Sequence, residues 1–143
     1  MNMGDDTIEI KGFRLQQKTR NIDKIGNALE KWIEEGRHLS HGVNIEGLAR
    51  ELGINRTYLS NYINDTYRTN FNGWINDHRI KHAQKIILEK PDANLSLIAL
   101  GVGFSDLAHF SKLFKQSTGL SPSVWRKNAI GKFNDIFCNT YKK

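Results

Sequence analysis

The sequence predicts an all-α protein made of two helix-turn-helix subdomains, each a three-helix, homeodomain-like lobe, joined by a long linker helix. Three observations carry this expectation. Apolar residues recur at helical spacing across residues 95–114 and are interrupted by a glycine-containing turn. A fainter copy of the same pattern lies about fifty residues upstream. Between the copies runs a stretch, FNGWINDHRIKHAQKIILEK, with one apolar side and no internal proline.

The downstream copy is the more legible. Leu95, Ile98, Ala99 and Val102 form one face of a short helix that stops at Gly103-Phe104, where glycine tolerates positive φ. A second helix follows, with Ser105 as its expected N-cap and Asp106 complementing the helix dipole. Phe110, Leu113 and Phe114 make its apolar stripe, and Gly119 and Pro122 end it. Ala99 is small enough for the two helices to cross closely.

In the upstream copy, Asn44, Ile45, Leu48, Ala49, Leu52, Gly53 and Ile54 lie 50 residues before Asn94, Leu95, Ile98, Ala99, Val102, Gly103 and Phe104. Beyond the glycine the offset becomes 51, pairing Leu59 with Phe110, Ser60 with Ser111, Ile63 with Phe114 and Trp74 with Trp125. One inserted residue in the second turn accounts for the change, so a single supersecondary unit occurs twice.

The run Ile98-Ala99, Gly103-Phe104-Ser105-Asp106, Phe110, Phe114-Lys115, Gly119, Ser121-Pro122 and Arg126 resembles the signature of AraC-type transcription regulators. A weaker likeness extends back to about residue 22 through Leu48-Ala49, Tyr58-Leu59, Phe71, Arg79-Ile80, Ala83 and Ile87. Two departures stand out: Tyr62-Ile63 replaces the usual Phe-Lys ending, and Arg68 occupies the place of Gly119. The resemblance implies a bilobed DNA-binding domain whose two recognition helices enter successive major grooves on one face of the duplex. It also implies a structural role for the linker-helix arginine, Arg79.

The rest of the chain divides around these units. Residues 1–19 read as an N-terminal tail or linker, with Ile8, Ile10, Phe13 and Leu15 in the loose alternation of a short extended arm. Residues 20–127 form the twin domain: Ile22, Ile25, Leu29, Trp32 and Ile33 make a helical stripe stopped by Gly36, and Asn44 is placed to cap the next helix. The first unit spans about 44–64, the linker helix about 71–89 with Pro91 beyond it, and the second unit about 95–115. Residues 128–143 form a C-terminal tail whose Phe133, Ile136 and Phe137 have helical spacing, suited to packing back or to self-association.

Charge points to the partner. The formal net charge is +6, with seven basic and seven acidic residues in 1–43 but fourteen basic and eight acidic in 44–143, so the excess lies with the repeated units. At 143 residues the chain has room for one ordinary domain or two very small ones, not for a large catalytic architecture. Cys138 is the sole cysteine, which excludes an intrachain disulfide. Neither a signal leader nor an apolar run long enough for a membrane span is present, so a cytoplasmic, nucleoid-associated protein is expected.

Helical phase then nominates contacts. Asn55, Arg56, Thr57, Ser60 and Asn61 face outward from the first recognition helix and suit base edges: arginine forks onto guanine, asparagine pairs with adenine, and the threonine methyl meets thymine. The second helix offers Ser105, Leu107, Ala108, His109, Ser111 and Lys112, a surface poorer in hydrogen-bonding groups and expected to discriminate less. Arg50, Arg68, Lys81, Lys115, Arg126 and Lys127 are phosphate candidates.

Rival chemistries find little support. His78 and His82 have the i, i+4 spacing of zinc ligands and His38 and His41 are near one another, but no HExxH acid lies between the first pair and the cysteine is remote. No catalytic centre, metal or cofactor is expected. A second functional reading stays open: Leu97 and Leu100 fall opposite the buried stripe of their helix, as in an interaction module that binds a partner such as RNA polymerase or a sensor domain.

Overall fold

The computed structural model describes residues 24–141, with side chains described over residues 24–132. The arm read at Ile8 to Leu15 and the stripe at Phe133, Ile136 and Phe137 lie outside these bounds. Residues 24–34 form helix α1, with Ile25, Leu29 and Trp32 buried along one side and Gly36 beyond its end at φ 73°. After a 3-10 turn at Arg37–Leu39 come α2 (Ile45–Leu52), α3 (Arg56–Tyr67), α4 (Phe71–Glu89), α5 (Leu95–Gly101), α6 (Leu107–Thr118) and α7 (Pro122–Tyr141). The described residues contain no strand.

The duplication read from the sequence is present bond by bond. Asn44 caps α2 by accepting the Gly47 N–H at 2.8 Å, and Asn94 caps α5 by accepting the N–H groups of Ser96 at 2.8 Å and Leu97 at 3.2 Å. The turns then close identically. The Ile54 N–H donates to the Ala49 carbonyl and the Phe104 N–H to the Ala99 carbonyl, both at 2.9 Å, across Gly53 at φ 65° and Gly103 at φ 101°. Ala49 and Ala99 are buried where their helices meet α3 and α6.

α3 and α6 are each twelve residues long. Their ends also correspond: Arg68 at φ 58° and Gly119 at φ 86° turn the chain left-handed and donate to the carbonyls of Asn64 at 3.0 Å and Lys115 at 2.8 Å. Arg68 thus takes, with a side chain, the conformation that glycine takes in the other copy; among the described residues it is the non-glycine residue with positive φ.

One expectation is corrected here. Asp106, not Ser105, caps α6, with its Oδ1 accepting the His109 N–H at 2.7 Å. Ser105 is the extra residue of the longer turn: it follows Phe104, whereas in the first copy the cap Asn55 follows Ile54 directly. That single residue changes the offset from 50 to 51.

The third helices repeat as well. The Trp74 N–H donates to the Asn70 carbonyl at 2.9 Å as α4 begins, and the Trp125 N–H to the Ser121 carbonyl at 2.8 Å as α7 begins. α4 is therefore the third helix of the first copy and α7 that of the second, which starts at Pro122 and continues unbroken past residue 127. Proline suits that first position, where its missing N–H costs no hydrogen bond.

α4 also serves the second lobe. Its buried Phe71, Trp74 and Ile75 lie toward α3, while Ile80, Ala83 and Ile87 join Ile98, Ala99, Val102, Phe104, Phe110 and Phe114 in one core. Ring centroids of Phe104 and Phe110 are 5.4 Å apart and those of Phe110 and Phe114 5.6 Å, in tilted pairs. Burying each such ring contributes about 1.5–3 kcal/mol. The linker is thus shared framework and not merely a spacer.

Arg79 of α4 braces the second turn. Its Nε donates to the His38 carbonyl at 2.8 Å and Nη2 to the Ser40 carbonyl at 2.9 Å, with the guanidinium 5.8 Å from the Phe104 ring centroid. A Cβ at Gly103 would stand 2.7 Å from Arg79 Nε and 2.9 Å from the Leu39 carbonyl oxygen. Substituting Gly103→Ala should therefore cost about 3 kcal/mol, since strain at positive φ adds to the clash. Arg68→Gly should do the opposite, adding about 1 kcal/mol by relieving left-handed strain. Urea unfolding of the two variants checks both signs.

Candidate nucleic-acid interface

The two copies present their second helices in the same way. Leu59 and Ile63 point α3 into the protein, and Phe110 and Phe114 do so for α6, all four fully buried. Opposite them on α3, Arg56, Thr57 and Asn61 are exposed and Ser60 is half-buried; on α6 the corresponding Leu107, Ala108 and Lys112 are exposed and Ser111 is half-buried. The structure thus brings these four residues of each head together on one outer face of its own helix.

Local bonding modifies individual roles. Asn55 is the N-cap of α3, its Oδ1 accepting the N–H groups of Thr57 at 2.9 Å and Tyr58 at 3.3 Å, so only its amide NH2 is left to face a ligand. The Arg56 Nε–H donates to Glu46 Oε1 at 2.8 Å. His109 sets its ring edgewise against Phe104, with centroids 5.6 Å apart. Ser105 lies outside α6, exposed in the turn. Tyr58, 42% exposed on α3, stands beside this face at the margin of the apolar stripe.

The basic candidates separate into two kinds. Arg50, Arg68, Lys81, Lys112, Lys115 and Lys127 are exposed. Arg126 is half-buried, and its Nη1 donates to the Ala93 carbonyl at 2.8 Å, which ties α7 to the loop before α5. It resembles Arg79 in that use: both satisfy carbonyl oxygens that no helix covers.

Three histidines pack together, His78 and His82 on α4 and His38 in the 3-10 turn. The rings of His78 and His82 stand edgewise to His38 at centroid distances of 6.0 and 6.3 Å, and Trp74 stands edgewise to His78 at 5.3 Å. His41 is elsewhere, its Nε2 3.0 Å from the Leu100 carbonyl oxygen. Among the described residues no group of three or more His, Cys, Asp or Glu has an arrangement that could hold a metal ion. No helix among them is long and apolar enough to cross a membrane.

Two bihelical heads, each with a buried inner stripe and an open outer face, define a twin helix-turn-helix protein. The family model described as a helix-turn-helix domain matches residues 48–128, and the chain belongs to that family, the AraC-type DNA-binding transcription regulators. The chain is 28% identical over 116 residues to a probable transcription factor, PqrA, of Proteus vulgaris, covering 81% of this chain and 93% of that one. It is 30% identical over 93 residues to the arabinose operon regulatory protein of Escherichia coli, covering 65% of this chain but 32% of the relative's length. The DNA-binding domain of AdpA, a global transcriptional factor solved in complex with a target DNA, has the same fold: TM-score 0.65 at 20% identity, over 76% of this chain and 94% of that chain.

Burial gives the histidine group a pH signature. His38 is pushed down to about 4, first by desolvation and then by the charges of His78, His82 and Arg79; His78 is also lowered, chiefly by desolvation. A lowered base favours its neutral form in the folded state, so the stabilisation is complete above the ordinary value near 6.5 and is lost as pH falls toward 4. The melting temperature should drop between pH 6.5 and 4, and His38→Gln should flatten that drop while leaving some from His78. Calorimetry at pH 7 and pH 4.5 measures it.

Proposed function

We propose that this chain is a sequence-specific double-stranded DNA-binding regulator that places α3 and α6 in successive major grooves, either as the output module of a larger regulator or as a stand-alone member of its family. The observation that carries this reading is the equivalence of the two helices: same length, same capping positions, same buried spacing, and both outer faces left open. Such a pair needs its reading heads about one helical turn apart, ~34 Å, or the DNA must bend.

On this reading α3 is the principal reader. Arg56, Thr57, Ser60 and Asn61 meet base edges, with the Asn55 amide at the helix entrance. α6 contributes Leu107 and Ala108 to thymine methyl groups, and His109, Ser111 and Lys112, with Ser105 beside them, to polar contacts. Arg50, Arg68, Lys81, Lys115 and Lys127 meet phosphates, and Arg126 holds framework first. The regulator has no catalytic centre and acts at promoter DNA in the cytoplasm.

A specific observation favours a second surface. Leu97 and Leu100 on α5 are 67% and 46% exposed, where polar residues would be expected. They suit a protein partner such as an RNA polymerase subunit or a sensor domain. Leu97→Asp with Leu100→Asp should spare DNA binding and lose regulation of a reporter promoter.

Selection of bound sequences from random DNA at two salt concentrations tests the principal reading. With about six phosphates neutralised, log K should fall with log salt at a slope of about −5. Asn61→Ala should weaken the selected site by about 1–3 kcal/mol with loss of preference at one base, whereas His109→Ala should cost less. A slope near zero, or an unchanged motif in Asn61→Ala, would remove this interface.

A further inference from the structure

Arg56 opens α3, and Glu46 lies in the first turn of α2, ten residues earlier. They are joined across the turn by the 2.8 Å bond from Nε–H to Oε1, although their side chains are 60% and 52% exposed. A pair so open to water does little for stability. It also has no counterpart in the second copy, where the matching positions are Ser96 and Leu107. The same scaffold therefore folds without it, and its use lies on the outer face of the first head.

We propose that Glu46 is a positioning residue for sequence reading: it fixes the Arg56 guanidinium so that the two Nη groups face a guanine in the major groove. This rests on the DNA-binding reading above. A guanidinium has five N–H donors in a rigid fork, and the bond to Glu46 occupies the single one on Nε. What is left is the terminal pair of nitrogens, whose spacing matches guanine O6 and N7. Holding the side chain beforehand removes rotamer freedom that free arginine would lose on binding.

Charge supports the same assignment. The Glu46 carboxyl is held below its ordinary range, first by its own residue's backbone N–H and further by Arg56 and Arg50, so it stays ionised at neutral pH. The pair is then electrically neutral, and Arg56 adds little to the sequence-independent attraction that released counterions drive. Glu46 thereby converts a residue able to strengthen binding to any duplex into one that favours a particular base. The second head, with Leu107 at that place, has no such device.

The test compares the wild-type chain with Glu46→Ala, Glu46→Gln and Arg56→Ala, each confirmed as folded by circular dichroism, in selection from randomised duplex DNA. Arg56→Ala and Glu46→Ala should lose the same guanine preference, by about tenfold or more. Glu46→Gln, which keeps an acceptor oxygen at the same reach, should retain most of it. Glu46→Ala should also steepen the salt dependence on nonspecific duplex by about one unit of slope, because the released arginine now neutralises a phosphate. An unchanged motif in Glu46→Ala overturns the proposal. So does tighter binding of every sequence by both Glu46 variants with discrimination intact, since Glu46 would then be only a brake on affinity. A wild-type chain that selects no sequence overturns the DNA reading itself and this proposal with it.

Discussion

Both heads depend on how tightly the chain can reverse between two helices. In each copy a glycine at positive φ lets the next residue's N–H return to the carbonyl of a buried alanine, at 2.9 Å in both. The alanine is small because the following helix crosses over it, and the glycine is required because a side chain there would be strained. At Gly103 it would also displace Arg79. That reversal aims α3 and α6 outward. Without it the apolar stripes at Leu59 and Ile63, or at Phe110 and Phe114, could not be buried while the opposite faces remained open.

The second constraint is that one helix is asked to belong to two lobes. α4 begins as the third helix of the first copy and finishes inside the core of the second. Over nineteen residues, about 28 Å at 1.5 Å per residue, it gives the two heads a common backbone. Arginines reinforce this framework where helices cannot. Arg79 gathers the carbonyls of His38 and Ser40, and Arg126 reaches that of Ala93, so two of the chain's positive charges are committed to backbone oxygens between elements. Net positive charge therefore overstates what is available to a polyanion.

Much of this was legible in the sequence because it is local. The asparagine caps, the turn glycines and the fifty-residue offset are all short-range patterns, and the linker helix announces itself by one apolar side and a following proline. What escaped was either decided by main-chain geometry or formed across distance. Serine and aspartate are both good caps, so residue type could not choose between Ser105 and Asp106; the extra residue in the turn chose. The bonds from Arg79 join residues 41 and 39 positions apart, and Glu46 meets Arg56 across a turn, where no periodicity connects them. Asn55 was legible as a polar residue at the right place, but its oxygen is engaged by α3 itself.

The two copies have diverged where they meet solvent and stayed alike where they pack, and the divergence is consistent in direction. The first head begins with a neutral asparagine cap and a paired arginine, then carries threonine, serine and asparagine. The second begins with an aspartate cap and a leucine, then carries alanine, serine and lysine. A carboxylate at the entrance of α6 disfavours close approach to phosphate, and an apolar first turn offers bases few directional bonds. Lysine at the place of Asn61 contributes charge with little geometric demand. On the proposed reading, a head of the first kind gains selectivity from orientation, whereas one of the second kind binds in a way that varies less from sequence to sequence. On the DNA-binding function proposed above, such unequal specialisation lets one half of the site discriminate while the other half mainly fixes register.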